Sequence, residues 1–198
     1  MKKLFILLIG IISLLMVNVE AKIELPEKTD HEKVTMYLFY SKTCPHCHDF
    51  INYFQSNYKD EYKDYFEIVA LEAGSEGNGT LFQKVSEHFG NNTGGQIPYI
   101  IVGDYSTLGF SDSKGPDLVE QALKQYQNSE YKDVVDSYGK DIEGLKKENL
   151  QDAARTAGLK VIDTSEDKDS IPDGVIIAII FVIVIGGLGG LIYIARKK

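Results

Sequence analysis

Residues 34–47 read VTMYLFYSKTCPHC. The first seven, Val34 to Tyr40, form a nearly unbroken apolar run rich in β-formers, the pattern of a strand covered on both faces. Ser41-Lys42-Thr43 interrupts it. Cys44-Pro45-His46-Cys47 then opens a different pattern. Cys47, Phe50, Ile51, Phe54 and Tyr58 recur at helical spacing, and Pro45 stands where a first helical residue belongs, a position that favours proline. The spacing predicts a helix over 45–58. A strand that passes through a short loop into a helix opened by a Cys-x-x-Cys pair governs the reading of the rest.

Downstream, Phe66–Leu71 (FEIVAL) is a second strand and Gly74–Gly79 reads as a flexible loop. Thr80 and Gln83 form a T-x-x-Q capping box, predicting a helix with Phe82, Val85 and Phe89 on its buried face, ended by Gly90. Pro98–Val102 is a third strand. Gly103-Asp104 makes a two-residue hairpin turn into a fourth, Tyr105–Phe110. Gly115-Pro116-Asp117 starts a helix that carries Val119, Ala122, Leu123 and Tyr126 on one face. The order β-α-β-α-β-β-α predicts an α/β domain over residues 34–129, with parallel pairing through right-handed crossovers and an antiparallel edge. Residues 22–33 are a lead-in. Residues 130–171 read as a helical extension and a charged tether. In the extension, Tyr131, Val134, Val135 and Tyr138 fit one short helix ending at Gly139. Ile142, Leu145, Ala153 and Ala157 fit another ending at Gly158. These elements either pack on the domain or form a stalk.

Both ends are apolar. Lys2 and Lys3 precede the run Leu4–Val17, and Val19-Glu20-Ala21 offers a small-residue cleavage site, so residues 1–21 read as a secretory signal peptide. Val175–Ala195 has no charge and is long enough to cross a bilayer as a helix. Residues 172–195 are therefore expected to span the membrane. Arg196, Lys197 and Lys198 form a cytoplasmic tail, with the body outside. The expected location is the cell membrane, single-pass, with the domain on the extracytoplasmic side. Gly186 and Gly190 form a G-x-x-x-G of the kind that lets two membrane helices pair as a homodimer.

The chain has 198 residues, 43% apolar and 25% charged, a globular balance. Its net charge is −8, which argues against nucleic acid as a partner. Residues 22–171 carry 16 Lys/Arg against 27 Asp/Glu, a net −11 for the exposed body. Two cysteines exclude a multi-disulfide scaffold. The sequons Asn78-Gly79-Thr80 and Asn91-Asn92-Thr93 read as chance matches, because the leader has a bacterial look.

The chemistry follows from the helix end. The first backbone N–H groups of a helix lack partners, and the macrodipole puts partial positive charge there. A thiolate at Cys44 is stabilised by both, and the thiolate is the reactive species. Cys47 lies one turn on, directed inward, placed to attack a mixed disulfide and release its partner. Protonated His46 adds positive charge beside Cys44. A structural disulfide is the poorer reading, because a bridge over so short a loop removes almost no chain entropy.

Strand, Cys-x-x-Cys helix start and a later Ile97-Pro98 before a strand resemble the thioredoxin superfamily over about residues 34–126. Gly94-Gly95-Gln96-Ile97-Pro98-Tyr99-Ile100-Ile101-Val102 is similar to that family's cis-proline loop. The resemblance implies a compact thioredoxin-like fold and a cis Ile97–Pro98 bond next to the cysteines. It also implies a loop backbone that pairs with the substrate chain, with Ile97 tuning the dithiol. The Pro45-His46 dipeptide matches DsbA-type disulfide oxidases, whereas Ile97 before the proline is closer to thioredoxin itself. Thioredoxin carries Trp where this chain has Thr43, and many members carry a buried acid where this chain has Leu38. The expected function is a membrane-anchored thiol–disulfide oxidoreductase. Its partners would be protein thiols and disulfides of exported proteins together with a separate redox protein, and it needs no cofactor and no metal.

The same residues admit a carrier reading. Cys44-Pro45-His46-Cys47-His48 also spells C-x-x-C-H, the c-type haem attachment signature, with His48 as axial ligand and Met36, His31 or His88 as the second. Cys44, Cys47, His46 and His48 are likewise soft ligands of the kind copper takes, although adjacent ligands on one helical turn cannot all reach one ion.

Overall fold

The computed structural model describes residues 23–29, 32–90 and 94–162. The expected signal peptide 1–21, the tether, the span 172–195 with Gly186 and Gly190, the tail 196–198, the Asn91 sequon and His31 lie outside the described residues. Among the described residues, no helix is long and apolar enough to cross a membrane.

The architecture is mixed α/β, built on a five-stranded sheet in the order β4-β3-β1-β2-β5. The strands are β1 (Val34–Tyr40), β2 (Phe66–Glu72), β3 (Tyr99–Val102), β4 (Tyr105–Leu108) and β5 (Lys147–Glu148). The helices are α1 (Pro45–Asn57), α2 (Glu76–His88), α3 (Gly115–Gln127), α4 (Val134–Gly139) and α5 (Leu150–Thr156). β1 is central and buried along its whole length, as its apolar run predicts. Its side chains alternate between two cores. Val34, Met36, Leu38 and Tyr40 join Phe50, Ile51 and Phe54 of α1, with Leu118 and Ala122 of α3 and Ala153 and Ala154 of α5. Tyr37 and Phe39 face the other way, against Leu81, Phe82 and Val85 of α2 and Val135 of α4. Aromatic rings bind the first core together: Phe50–Phe54 at 4.5 Å and Phe50–Phe110 at 5.2 Å between centroids. Ile23 and Leu25 of the lead-in pack on the same core.

Among the described residues, parallel pairing is confined to β1 and β2, joined by the α1 crossover. β3 runs antiparallel to β1, and β4 and β5 run antiparallel to their neighbours. The expectation of parallel pairing through β3 is thus corrected. After α2 the chain turns back and enters β3 from the end where β1 meets the cysteines, and that reversal carries Ile97 to Cys44. Gly103 makes the hairpin turn with φ +59°, while β4 ends at Leu108 rather than Phe110.

The loop expected at Gly74–Gly79 is mostly helix. α2 begins at Glu76, so Thr80 and Gln83 are interior residues and not a capping box. Thr80 Oγ1 donates to Glu76 O, and Gln83 Nε2 donates to Glu87 Oε1. The glycines are there for contact, not for flexibility. A Cβ on Gly77 would stand 2.6 Å from Glu143 O. Beside it Asn78 is fully buried. Its amide donates to Glu72 O and Lys146 O and accepts from Lys146 N–H at 3.0 Å.

Residues 130–162 pack on the sheet. β5 pairs with β2, α4 lies against α2, and α5 lies against α1 and β2. The strand Lys147–Glu148 was not foreseen, and the second predicted helix is confined to Leu150–Thr156. The buried Gln55 of α1 fastens the end of this segment: its Nε2 donates to Lys160 O, and its Oε1 accepts from Ile162 N–H at 2.9 Å.

Candidate active site

β1 ends at Tyr40, and four residues later Cys44 is the N-cap of α1, with extended backbone angles (φ −85°, ψ 113°). Pro45 follows at the first helical position, where a missing N–H removes no helical hydrogen bond. The cap is a thiol. Cys44 Sγ accepts from Cys47 N–H at 3.3 Å, filling the place that a Ser or Asp oxygen takes in most helices. No acidic residue lies in the first turn, so the partial charge of the helix end falls on the sulfur uncancelled.

The two cysteines differ in surroundings. Both are free thiols, with Cys44 half-buried and Cys47 fully buried. Cys47 sits in the core with Leu38, Phe50 and Phe54. Burial, and then the hydrogen bond with Cys44, push its thiol well up from the ordinary value; a backbone hydrogen bond from Ser41 acts in the opposite sense. Leu38 is fully buried and apolar and offers the thiol no proton acceptor.

The Ile97–Pro98 peptide is cis. It lies against the dithiol: the Cys44 thiol donates to Ile97 O at 3.8 Å, across 53 residues of sequence. Pro98 is buried and Ile97 half-buried, packed against both cores. Gly94 and Gly95 precede them at φ +55° and +81°, in the left-handed region that glycine enters without a Cβ penalty. An exposed stretch, 94–96, therefore leads into the residue whose carbonyl meets Cys44 Sγ.

His46 is exposed, and its Nδ1 meets Asp49 Oδ2 at 3.3 Å. Its ring is thus held towards Asp49, one turn along α1. His48 Nε2 donates to Lys42 O at 2.7 Å, which occupies the nitrogen that the haem reading needs as a ligand. Among the described residues, no three His, Cys, Asp or Glu side chains converge to hold a metal ion. The structure therefore brings Cys44, Cys47, Pro45, Ile97 and Pro98 together and leaves His46 on the rim. The hold on Cys44 by Ile97 O was legible only through the family resemblance. The clamp at Gln55 carried no local signal at all.

This chain matches no protein-family model, no curated protein and no solved structure.

Proposed function

We propose that this protein is a thiol–disulfide oxidoreductase of thioredoxin-like fold, anchored in the cell membrane with its dithiol on the extracytoplasmic side. One observation carries the reading: a half-exposed thiol caps a helix beside a fully buried second thiol, with a backbone carbonyl of a proline loop at the reactive sulfur. Cys44 is the more exposed of the two thiols, so it is the group that meets a substrate. Its thiolate attacks a substrate disulfide, one substrate sulfur leaves as a thiolate, and a mixed disulfide forms. Cys47 then attacks Cys44 Sγ, the mixed disulfide breaks, and the Cys44–Cys47 bond forms. The substrate is reduced and the dithiol oxidised; the reverse sequence oxidises a substrate. Backbone 94–97 is where a substrate strand would lie, with Ile97 and Pro98 bordering the sulfur. His46 is an exposed positive charge on the rim when protonated. Exported proteins supply the substrate thiols, and a separate redox protein restores the dithiol.

The test uses oxidised glutathione as substrate. The wild-type protein is expected to end with a Cys44–Cys47 disulfide and no bound glutathione. Cys47→Ser is expected to hold one glutathione on Cys44, and Cys44→Ser none. Stable glutathione on both cysteines of the wild type, read by mass spectrometry, would overturn the reading. The potential of the pair in a glutathione buffer then assigns direction: a value near that of thioredoxin marks a reductase, a much more oxidising one an oxidase.

A further inference from the structure

His48 follows the dithiol directly in the sequence and takes no bond-making part in its cycle. It is half-buried, at the start of α1 and four residues after Cys44. Residues four apart lie on one side of a helix, and from there the ring reaches back to the chain that leads into the cap. His48 Nε2–H donates to Lys42 O at 2.7 Å. The backbone N–H of the same residue donates to Cys44 O at 3.1 Å. One residue therefore holds the carbonyls on both sides of Thr43.

The segment so held, Ser41-Lys42-Thr43, lends its backbone to both cysteines. Ser41 O accepts from Cys44 N–H at 3.2 Å. The Ser41 backbone also hydrogen-bonds Cys47, and this contact favours the thiolate. Burial, the hydrogen bond with Cys44 and the Asp49 carboxylate all favour the neutral thiol. The Ser41 contact is thus the one that works for the attacking form of the second cysteine. Little else fixes the segment. Lys42 and Thr43 are exposed and belong to neither core. Ser41 Oγ meets Thr43 N–H and Thr43 Oγ1 at 3.5 Å, too far for a firm hydrogen bond. The charged groups around it are Lys42 within the segment and His46 and Asp49 on α1, all exposed, with His46 turned to Asp49.

We propose that His48 is a positioning residue for the resolving step: its hydrogen bond to Lys42 O holds Ser41 against Cys47, and the Ser41 backbone steadies the Cys47 thiolate as it attacks. The inference rests on the dithiol reading above. In that step Cys47 gives its proton to water and its sulfur attacks Cys44 Sγ. The Cys44–substrate S–S bond breaks, and the substrate sulfur leaves with the bonding pair. His48 forms no bond to sulfur and transfers no proton. What counts is the N–H that it donates, not the charge of its ring, so a side-chain amide can take its place.

The experiment forms the glutathione adduct on Cys44 of the full chain and times its release across pH. His48→Phe keeps a ring and loses the donor, whereas His48→Gln keeps a donor and loses the charge. His48→Phe is expected to release glutathione about 10-fold more slowly than wild type at neutral pH, the scale of one lost hydrogen bond to a charged group. The midpoint of its release profile is expected to move up by about one pH unit, with the plateau at high pH unchanged. His48→Ala, which adds no bulk, is expected to match it, and His48→Gln to restore most of the rate. Release from His48→Gln as slow as from His48→Phe would mean that the ring matters and the donated bond does not. A slowing equal at every pH would mean that His48 only supports packing. Unchanged release from His48→Phe and His48→Ala would mean that the segment holds itself. Each of these results overturns the inference. Wild-type protein that never releases glutathione would instead overturn the dithiol reading itself.

Discussion

At the N-terminal end of α1 a single sulfur caps the helix, 3.3 Å from the amide that it accepts, with no acid in the first turn to reinforce it. Near the other end, Gln55 is buried and spends both halves of its amide on the backbone of residues 160–162. The first arrangement is a single hydrogen bond that leaves the sulfur half-exposed. The second is a strong clamp that leaves nothing to react. Between them Phe50, Ile51 and Phe54 are fully buried. A helix can carry a half-exposed thiol at its terminus because its remaining length is fixed to the sheet and to the segment behind it.

This contrast is open to measurement. The middle of the helix should carry the largest stability effect. Phe54→Ala is expected to cost about 3–5 kcal/mol, the usual penalty for truncating a buried aromatic, read by urea denaturation. A loss below about 1 kcal/mol would mean that the helix is not fixed by its core face. At the clamped end, Gln55→Ala is expected to cost about 2 kcal/mol, because it leaves an amide and a carbonyl unpaired. The Ile162 amide should lose its protection from hydrogen exchange in the same variant, while Cys44 alkylation is unchanged.

At the reactive end the expectation is a pH dependence. Burial raises the Cys47 thiol above its ordinary value of about 9 in the folded state only. Below pH 9 both states hold the proton and its contribution to stability is intact. As pH climbs past 9 the unfolded chain releases the proton and the folded one keeps it. Stability from this group then falls by up to about 1.4 kcal/mol per pH unit. Cys47→Ala should lack that component of the slope between pH 9 and 10; an identical slope would place Cys47 in contact with water.

Legibility followed the range over which each feature is determined. β1, the start of α1 and the hairpin at Gly103 were readable because each rests on neighbouring residues: an apolar run, a proline at the first helical position, a glycine at a turn. The start of α2 was misread because Gly77 and Gly79 look like flexible residues, whereas Gly77 serves a close approach to Glu143 that lies 66 residues away. β5 has two residues and no periodicity to detect. At the site, the thiol pair and the proline loop were visible as motifs. Elsewhere in the fold, the hydrogen bond from Tyr40 to Glu148 was not visible, because it is made by strand register across 108 positions. Antiparallel entry into β3 was likewise invisible to a pattern that records order and not direction.

The buried amide of Asn78 has a consequence for making this protein in a foreign host. Asn78-Gly79-Thr80 is a legitimate acceptor for an oligosaccharide while the chain is still emerging. Once α2 closes on residues 143–146, that nitrogen has two carbonyl partners and no path to an enzyme. Sugar attached early would therefore block closure, and closure achieved early would block the sugar. A eukaryotic secretion system would sort the product into two populations, bare molecules that pass quality control and decorated ones that are retained. Asn78→Asp would end that competition at the cost of the hydrogen bonds donated to Glu72 and Lys146.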